Sequence, residues 1–203
     1  WSFRRSVRRF SGGAADRGSR AGSMRIFVAI AMPEATAEAI GRVQADIPFG
    51  RIVPEEQLHL TLAFLGDLKA AEIEAAHDAL EGVRSGAPEV AFGGLVLPDP
   101  ARPDVLALQV AADPGLLALQ RSIMGRLRQA GLDLPRRRFR PHVTIARFGG
   151  RLAPEAEVRL AAILSRNAAA RVWPFTARSF GLYRSYLRAA GAIHAELMLY
   201  PCG

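Results

Sequence analysis

One pattern occurs twice in this chain: a histidine followed two residues later by a threonine, set among aliphatic residues. It reads His59-Leu60-Thr61-Leu62 and then His142-Val143-Thr144-Ile145. The chain holds four histidines and four threonines. Two such pairs would arise by chance in about a quarter of a percent of comparable sequences, so the repeat is read as a constraint on the fold. Side chains alternate across a β-strand, which puts residues i and i+2 on one face. Strict alternation therefore predicts that His59 and Thr61 point one way and Leu58, Leu60, Leu62 and Phe64 the other. In the second copy, His142, Thr144 and Ala146 would oppose Val143 and Ile145. Each strand then buries one face and offers an imidazole and a hydroxyl on the other.

The flanking pattern predicts a duplication. Residues 25–31 read as a buried strand, and Pro33 opens a helix, where its missing N–H is harmless. The first His strand is expected over 57–65, a helix over 69–83, and a strand over 90–97, broken by Pro98, Pro100 and Pro103. The order then recurs. A strand over 104–110 precedes a helix from Pro114 to Gly131, with Leu116, Leu119, Ile123 and Leu127 at helical spacing. The second His strand covers 139–148, a helix covers 154–167, and strands over 175–182 and 193–200 close the chain, with a turn at Ala189-Ala190-Gly191. The His strands fall at matching places in the two halves. A pseudo-twofold axis would bring them face to face across a central groove.

Half of the 203 residues are hydrophobic, enough to bury a core, so 24–203 is expected to form one domain. No apolar run is long enough to span a bilayer, so a soluble protein without a membrane partner is expected. The lone cysteine, Cys202, has no partner for an internal disulfide, which fits a reducing, cytoplasmic setting. The net charge of +8 is uneven: 1–23 carries six Arg and one Asp, leaving 21 Lys+Arg against 18 Asp+Glu in 24–203. Residues 1–23 are read as a disordered basic extension ahead of a working start at Met24. This stretch has some look of a transit peptide but lacks the apolar stretch of a secretory signal. Within the domain, Arg136, Arg137, Arg138 and Arg140 run directly into His142, a placement suited to RNA phosphate contact.

Two imidazoles across a groove suit concerted acid–base catalysis, because one ring can be neutral while its partner is protonated near neutral pH. In-line displacement at phosphorus needs such groups on opposite sides of the phosphorus. The hydroxyls of Thr61 and Thr144 can donate to non-bridging oxygens. Arg147 could add a cation, although alternation points it away from His142. Nothing has metal-ligand or nucleotide-loop spacing, so neither metal nor cofactor is expected. His77, among Glu72, Glu74 and Asp78, is read as solvated, and His194 as structural.

The segments PEEQLHLTLAFLG (54–66) and FRPHVTIARF (139–148) closely resemble the two signature stretches of the two-histidine phosphoesterases. Within them the likeness is to the RNA 2′,3′-cyclic phosphodiesterases, also called 2′-5′ RNA ligases. It extends to RIFVAIAMPE (25–34) and LYRS (182–185). The resemblance implies an α+β, bilobal, duplicated fold, with two small antiparallel sheets lining a groove and helices packed outside. It implies hydrolysis of RNA 2′,3′-cyclic phosphate ends to 2′-phosphates, with 2′-5′ RNA ligation as a second, reversible reaction that joins RNA halves, tRNA halves among them. His59 would be the proton donor and His142 the acceptor, roles that pseudosymmetry alone does not distinguish. An aromatic residue that the family places ahead of the first motif is replaced here by Arg51-Ile52-Val53. Phe27 is a substitute, with Arg140 and Arg184 as further substrate contacts. A monomer is expected. Another cyclic phosphate, such as ADP-ribose 1″,2″-cyclic phosphate, a non-catalytic nucleotide- or RNA-binding module, or a structural domain with a nucleic-acid-binding tail are the alternatives.

Overall fold

A computed structural model describes residues 22–101, 103–136, 138–149, 152–167, 172–188 and 191–203. Residues 1–21, Arg137, and Ala189 and Ala190 of the expected turn lie outside them. The elements run β1 (Met24–Ala31), α1 (Glu34–Gln44), β2 (Arg51–Ile52), β3 (His59–Leu68), α2 (Ala70–Glu81), β4 (Glu89–Val90) and β5 (Phe92–Val96). They continue β6 (Val105–Val110), α3 (Pro114–Gln129), β7 (His142–Arg147), α4 (Pro154–Arg166), β8 (Phe175–Thr176), β9 (Ser179–Arg188) and β10 (Gly191–Pro201). The fold class is the α+β expected.

The strands form a curled antiparallel sheet in the order β10-β9-β1-β3-β7-β6-β5, with β2 added beside β7 and β4–β8 as a separate small pair. The His strands β3 and β7 are therefore neighbours. One registered pair, Leu60 with Val143, joins the two lobes there.

The lobes do not coincide with the halves of the sequence. Beside β1 in the first lobe lies β9, from the second half, and beside β6 in the second lobe lies β5, from the first. The helices cross over as well: α1 packs on β7 and α3 on β3.

All four helices contribute to one core beneath the sheet, against Ile26, Val28 and Ile30 of β1. Helix α3 illustrates why the sequence folds this way. Asp113 caps its N-terminus by accepting from the N–H of Gly115 (2.8 Å) and Leu116 (3.1 Å), with Pro114 in the first turn. Its stripe of Leu116, Leu119, Ile123 and Leu127 is fully buried, each residue contributing about 1.5–3 kcal/mol.

Strict alternation fails at matching points in the two His strands. In β3 the register with β1 runs Ala29–Thr61, then Val28–Ala63, so Leu62 is an extra residue. In β7 the register with β6 runs Ala107–Thr144, then Leu106–Ala146, so Ile145 is extra. A bulge resets the parity beyond it. Leu62 and Ala63 are both buried, as are Ile145 and Ala146, and the next residues, Phe64 and Arg147, turn to the His face. The expectation that Phe64 and Arg147 point away from the histidines, and that Ala146 points with them, is corrected accordingly.

Candidate active site

Leu60–Val143 is the registered pair between the two His strands; carried one residue either way in the antiparallel sense, that register sets His59 opposite Thr144 and Thr61 opposite His142. The two motifs thus make a four-cornered group on the helix-free face, each histidine diagonal to the other. In a regular ladder that diagonal spans about 7–8 Å, room for one tetrahedral group. Small residues flank the hydroxyls in the same way on both sides, Ala29 beside Thr61 and Ala107 beside Thr144.

The imidazoles are held alike. His59 Nδ1 lies 2.7 Å from the Gln57 carbonyl oxygen, and His142 Nδ1 lies 2.7 Å from that of Arg140. A carbonyl only accepts, so each Nδ1 carries the proton and each neutral ring keeps a lone pair on Nε2. The surroundings differ. Phe27 and His194 pack on His59, with centroids 5.0 Å away in each case, and the His194 ring is edge-on at 87°. Among the described residues no aromatic ring packs on His142, and its bond to Arg140 is exposed where that of His59 is part-buried.

Burial lowers the pKa of His59, opposed by the Gln57 carbonyl bond, with Arg147 and His142 adding to the lowering. His194 is lowered further, to about 4, by burial first and then by His59 and Arg147. Arg147 is itself lowered by burial and by Arg51, against Asp104. Its influence on both His59 and His194 places its charge on the site face, as the bulge requires. A buried patch separate from the main core, Phe27, Ala29 and Tyr183, floors the first lobe's side. Burial and the neighbouring Glu196 push Tyr183 up to about 12.

The other expected contacts are distributed unevenly. Phe27 is on the site face but only 3% exposed, so it backs His59 rather than offering an open platform. Arg140 is exposed and donates to the Pro98 carbonyl (3.3 Å) at the mouth. Arg184 is corrected: it pairs in register with core-facing Ile26, on the side of the sheet opposite the histidines, and its guanidinium lies over Tyr186 at 4.4 Å. His77 is not simply solvated; its Nδ1 lies 2.9 Å from the Tyr200 hydroxyl. His77 with Asp78 and Glu81 is the one grouping of metal-ligand types found among the described residues. It lies on α2, on the helical side of the sheet.

Sequence reasoning missed two residues. Phe64, 51% exposed, lies opposite Phe27 in register and so on the site face; only a tally of bulges could have found it. His194 reaches the site because β9 and β10 extend further than expected and curl over it. No local motif signals that.

A family model of the 2′-5′ RNA ligase superfamily matches residues 32–187. A protein of Thermus thermophilus named RNA 2′,3′-cyclic phosphodiesterase is 32% identical over 191 residues, covering 86% of this chain and 88% of that one. A protein of the same name from Geobacillus stearothermophilus is 31% identical over 166 residues, covering 78% of this chain, which spans only 51% of that protein's length. Escherichia coli LigT, solved with 3′-AMP, has the same fold: TM-score 0.69 at 23% identity, covering 89% of this chain and 98% of that one.

Proposed function

The chain belongs to the 2′-5′ RNA ligase superfamily, and from that premise we propose that it hydrolyses RNA 2′,3′-cyclic phosphate ends to 2′-phosphates. The observation that carries this reading is the diagonal pair of imidazoles, each with Nδ1 bound to a carbonyl and Nε2 left for chemistry. Relatives named RNA 2′,3′-cyclic phosphodiesterase supply the substrate class.

With the cyclic phosphate seated between the rings, water attacks phosphorus from the open side. His142 Nε2 takes the water proton as the new P–O bond forms. The P–O3′ bond breaks, and His59 Nε2–H gives its proton to the departing O3′. His142 is the wetter ring, so it is the one that water reaches. His59 is buried against Phe27 and His194, on the side where the ribose leaves. Burial makes His59 a poor proton holder in the free protein; the anionic ester supplies the opposite charge that lets it load a proton, and it is then a strong acid.

Thr61 and Thr144 donate to the non-bridging oxygens, and Arg147 balances their charge. Arg140 meets RNA phosphates farther out. With a 5′-hydroxyl in place of water, the same pair joins a cyclic-phosphate end to a second RNA: His142 takes the hydroxyl proton, the P–O3′ bond breaks with His59 protonating O3′, and a 2′-5′ linkage is left. RNA fragments with a cyclic end, tRNA halves among them, are the substrates, and one chain supplies both histidines, so a monomer suffices. Cytoplasmic RNA processing fits this reading. Among the described residues no helix is long and apolar enough to cross a membrane.

The test is incubation with an oligonucleotide bearing a terminal 2′,3′-cyclic phosphate, resolving 2′- from 3′-phosphate product. The parent should give 2′-phosphate in the presence of EDTA. His59→Ala and His142→Ala should each fall by about 100-fold or more. Near-parent turnover in either variant overturns the mechanism.

A further inference from the structure

The pseudo-twofold treats His59 and His142 as equals; the terminal hairpin does not. Strands β9 and β10 leave the first lobe's edge and curl over the site. Gln57 marks where they land. Its backbone carbonyl holds His59 Nδ1, and its side-chain Oε1 accepts the N–H of His194 at 2.7 Å. One residue thus ties the hairpin to the ring it covers. Farther along, Gly191, whose φ of +127° disfavours any other residue, lies against the Arg51 guanidinium. Arg51 pairs with Arg147 at the edge of the second lobe, so the hairpin bridges the groove at this end.

From this geometry we propose that His194 is a positioning residue, which walls His59 off from water and so fixes the two motif histidines in unlike roles. Its ring meets His59 edge-on at 5.0 Å and Phe27 edge-on at 4.8 Å, completing an aromatic collar around His59. Nδ1 of His194 is buried without a hydrogen-bond partner, so the ring sits where a polar atom has to be tolerated. A second charge there would stand beside His59 and Arg147, while Glu196, two residues along β10, faces the Tyr183 hydroxyl. Such a position suits an uncharged ring, consistent with the lowered pKa of His194. The second lobe supplies nothing equivalent to His142 among the described residues. The collar therefore makes His59 the dry partner and leaves His142 to handle water.

This inference rests on the acid–base reading of the two histidines, and its test can fail separately. The full chain carrying His194→Ala, His194→Gln or His194→Phe is compared with the parent by kcat and KM on the cyclic-phosphate oligonucleotide and by NMR titration of the His59 ring. Loss of the ring in the Ala and Gln variants should lower kcat about 10-fold or more, with KM changed less than about threefold, and should move the His59 titration upward. His194→Phe keeps an uncharged ring in the collar and should retain kcat within about threefold, with His59 still titrating low. An unchanged His59 titration in His194→Gln, or a folded His194→Phe as slow as His194→Gln, overturns the proposal. If His194→Ala does not fold, the Gln and Phe pair decides. The titration reads the collar without turnover, so an inactive parent refutes the acid–base reading rather than the wall.

Discussion

At the scale of single residues, the hydroxyls of Thr61 and Thr144 are worth separating from the shape of their side chains. Threonine and valine have nearly the same volume, so Thr61→Val and Thr144→Val remove one donor each and leave the strand packed. A hydrogen bond to a charged group is worth about 1.5–3 kcal/mol, which predicts a loss in kcat/KM of about 10- to 100-fold per variant. Serine at either place should restore most of it. Equal activity of the Val and Ser variants would remove the hydroxyls from the mechanism. Acid stability follows from the same neighbourhood. In the unfolded chain a histidine takes up its proton near 6.5, whereas folded His194 does so near 4, and His59 is shifted in the same direction. The unfolded state binds more protons in this window, so stability is intact above about pH 6.5 and is lost as the pH falls toward 4. Urea midpoints at pH 7.5 and 4.5 measure the loss, and His194→Phe should reduce it.

At the scale of elements, the two bulges are braced from opposite halves. Gln44 at the end of α1 is buried, and its Nε2 donates to the carbonyls of Val53 (2.8 Å) and Ile145 (2.9 Å), Ile145 being the extra residue of β7. Gln120 of α3 donates to the carbonyl of Leu62, the extra residue of β3, at 3.3 Å. A bulge leaves backbone groups outside the ladder, and a buried one needs a partner; the Ile145 carbonyl has two, accepting also from the Val53 N–H at 2.9 Å, so Gln44 clamps β7 to the Val53 segment through both carbonyls it meets. Gln44→Leu should therefore destabilise the protein by about 1–3 kcal/mol, and Gln120→Leu, with a longer and less buried bond, by less. Denaturant midpoints at constant slope test this; a neutral Gln44→Leu would mean that the Val53–Ile145 backbone bond holds the bulge without the glutamine. The bulges also mark how far the sequence could be read. His59, Thr61, His142 and Thr144 were legible because both threonines precede the extra residue, where alternation still holds. Phe64 and Arg147 were not, because HLTLAF and HVTIAR look like unbroken strands until the register with β1 and β6 is known. His194 was illegible for another reason: what brings it to His59 is the curl of a hairpin more than 130 residues away in sequence, which no local pattern encodes.

At the scale of the whole molecule, the halves of the sequence recur but each lobe is built from both. The first lobe takes β9 and β10 from the second half, the second takes β5 from the first, and the small β4–β8 pair ties the halves again. Helices α1 and α3 lie over each other's His strands, braced by the two glutamines. Neither half can bury its His strand alone, since the helix that covers that strand comes from the other half. The quartet, too, needs one His-x-Thr from each. A break in the loop between β5 and β6 should thus be tolerated by the assembled molecule but not by its pieces. Fragments 24–101 and 102–203, prepared apart, should show no cooperative thermal transition and no turnover of the cyclic-phosphate oligonucleotide. Mixed, they should regain both, with turnover rising with the concentration of the limiting fragment. A fragment that melts cooperatively by itself would show that strand exchange is incidental to the stability of the lobes, and that the duplicated half is already a folding unit.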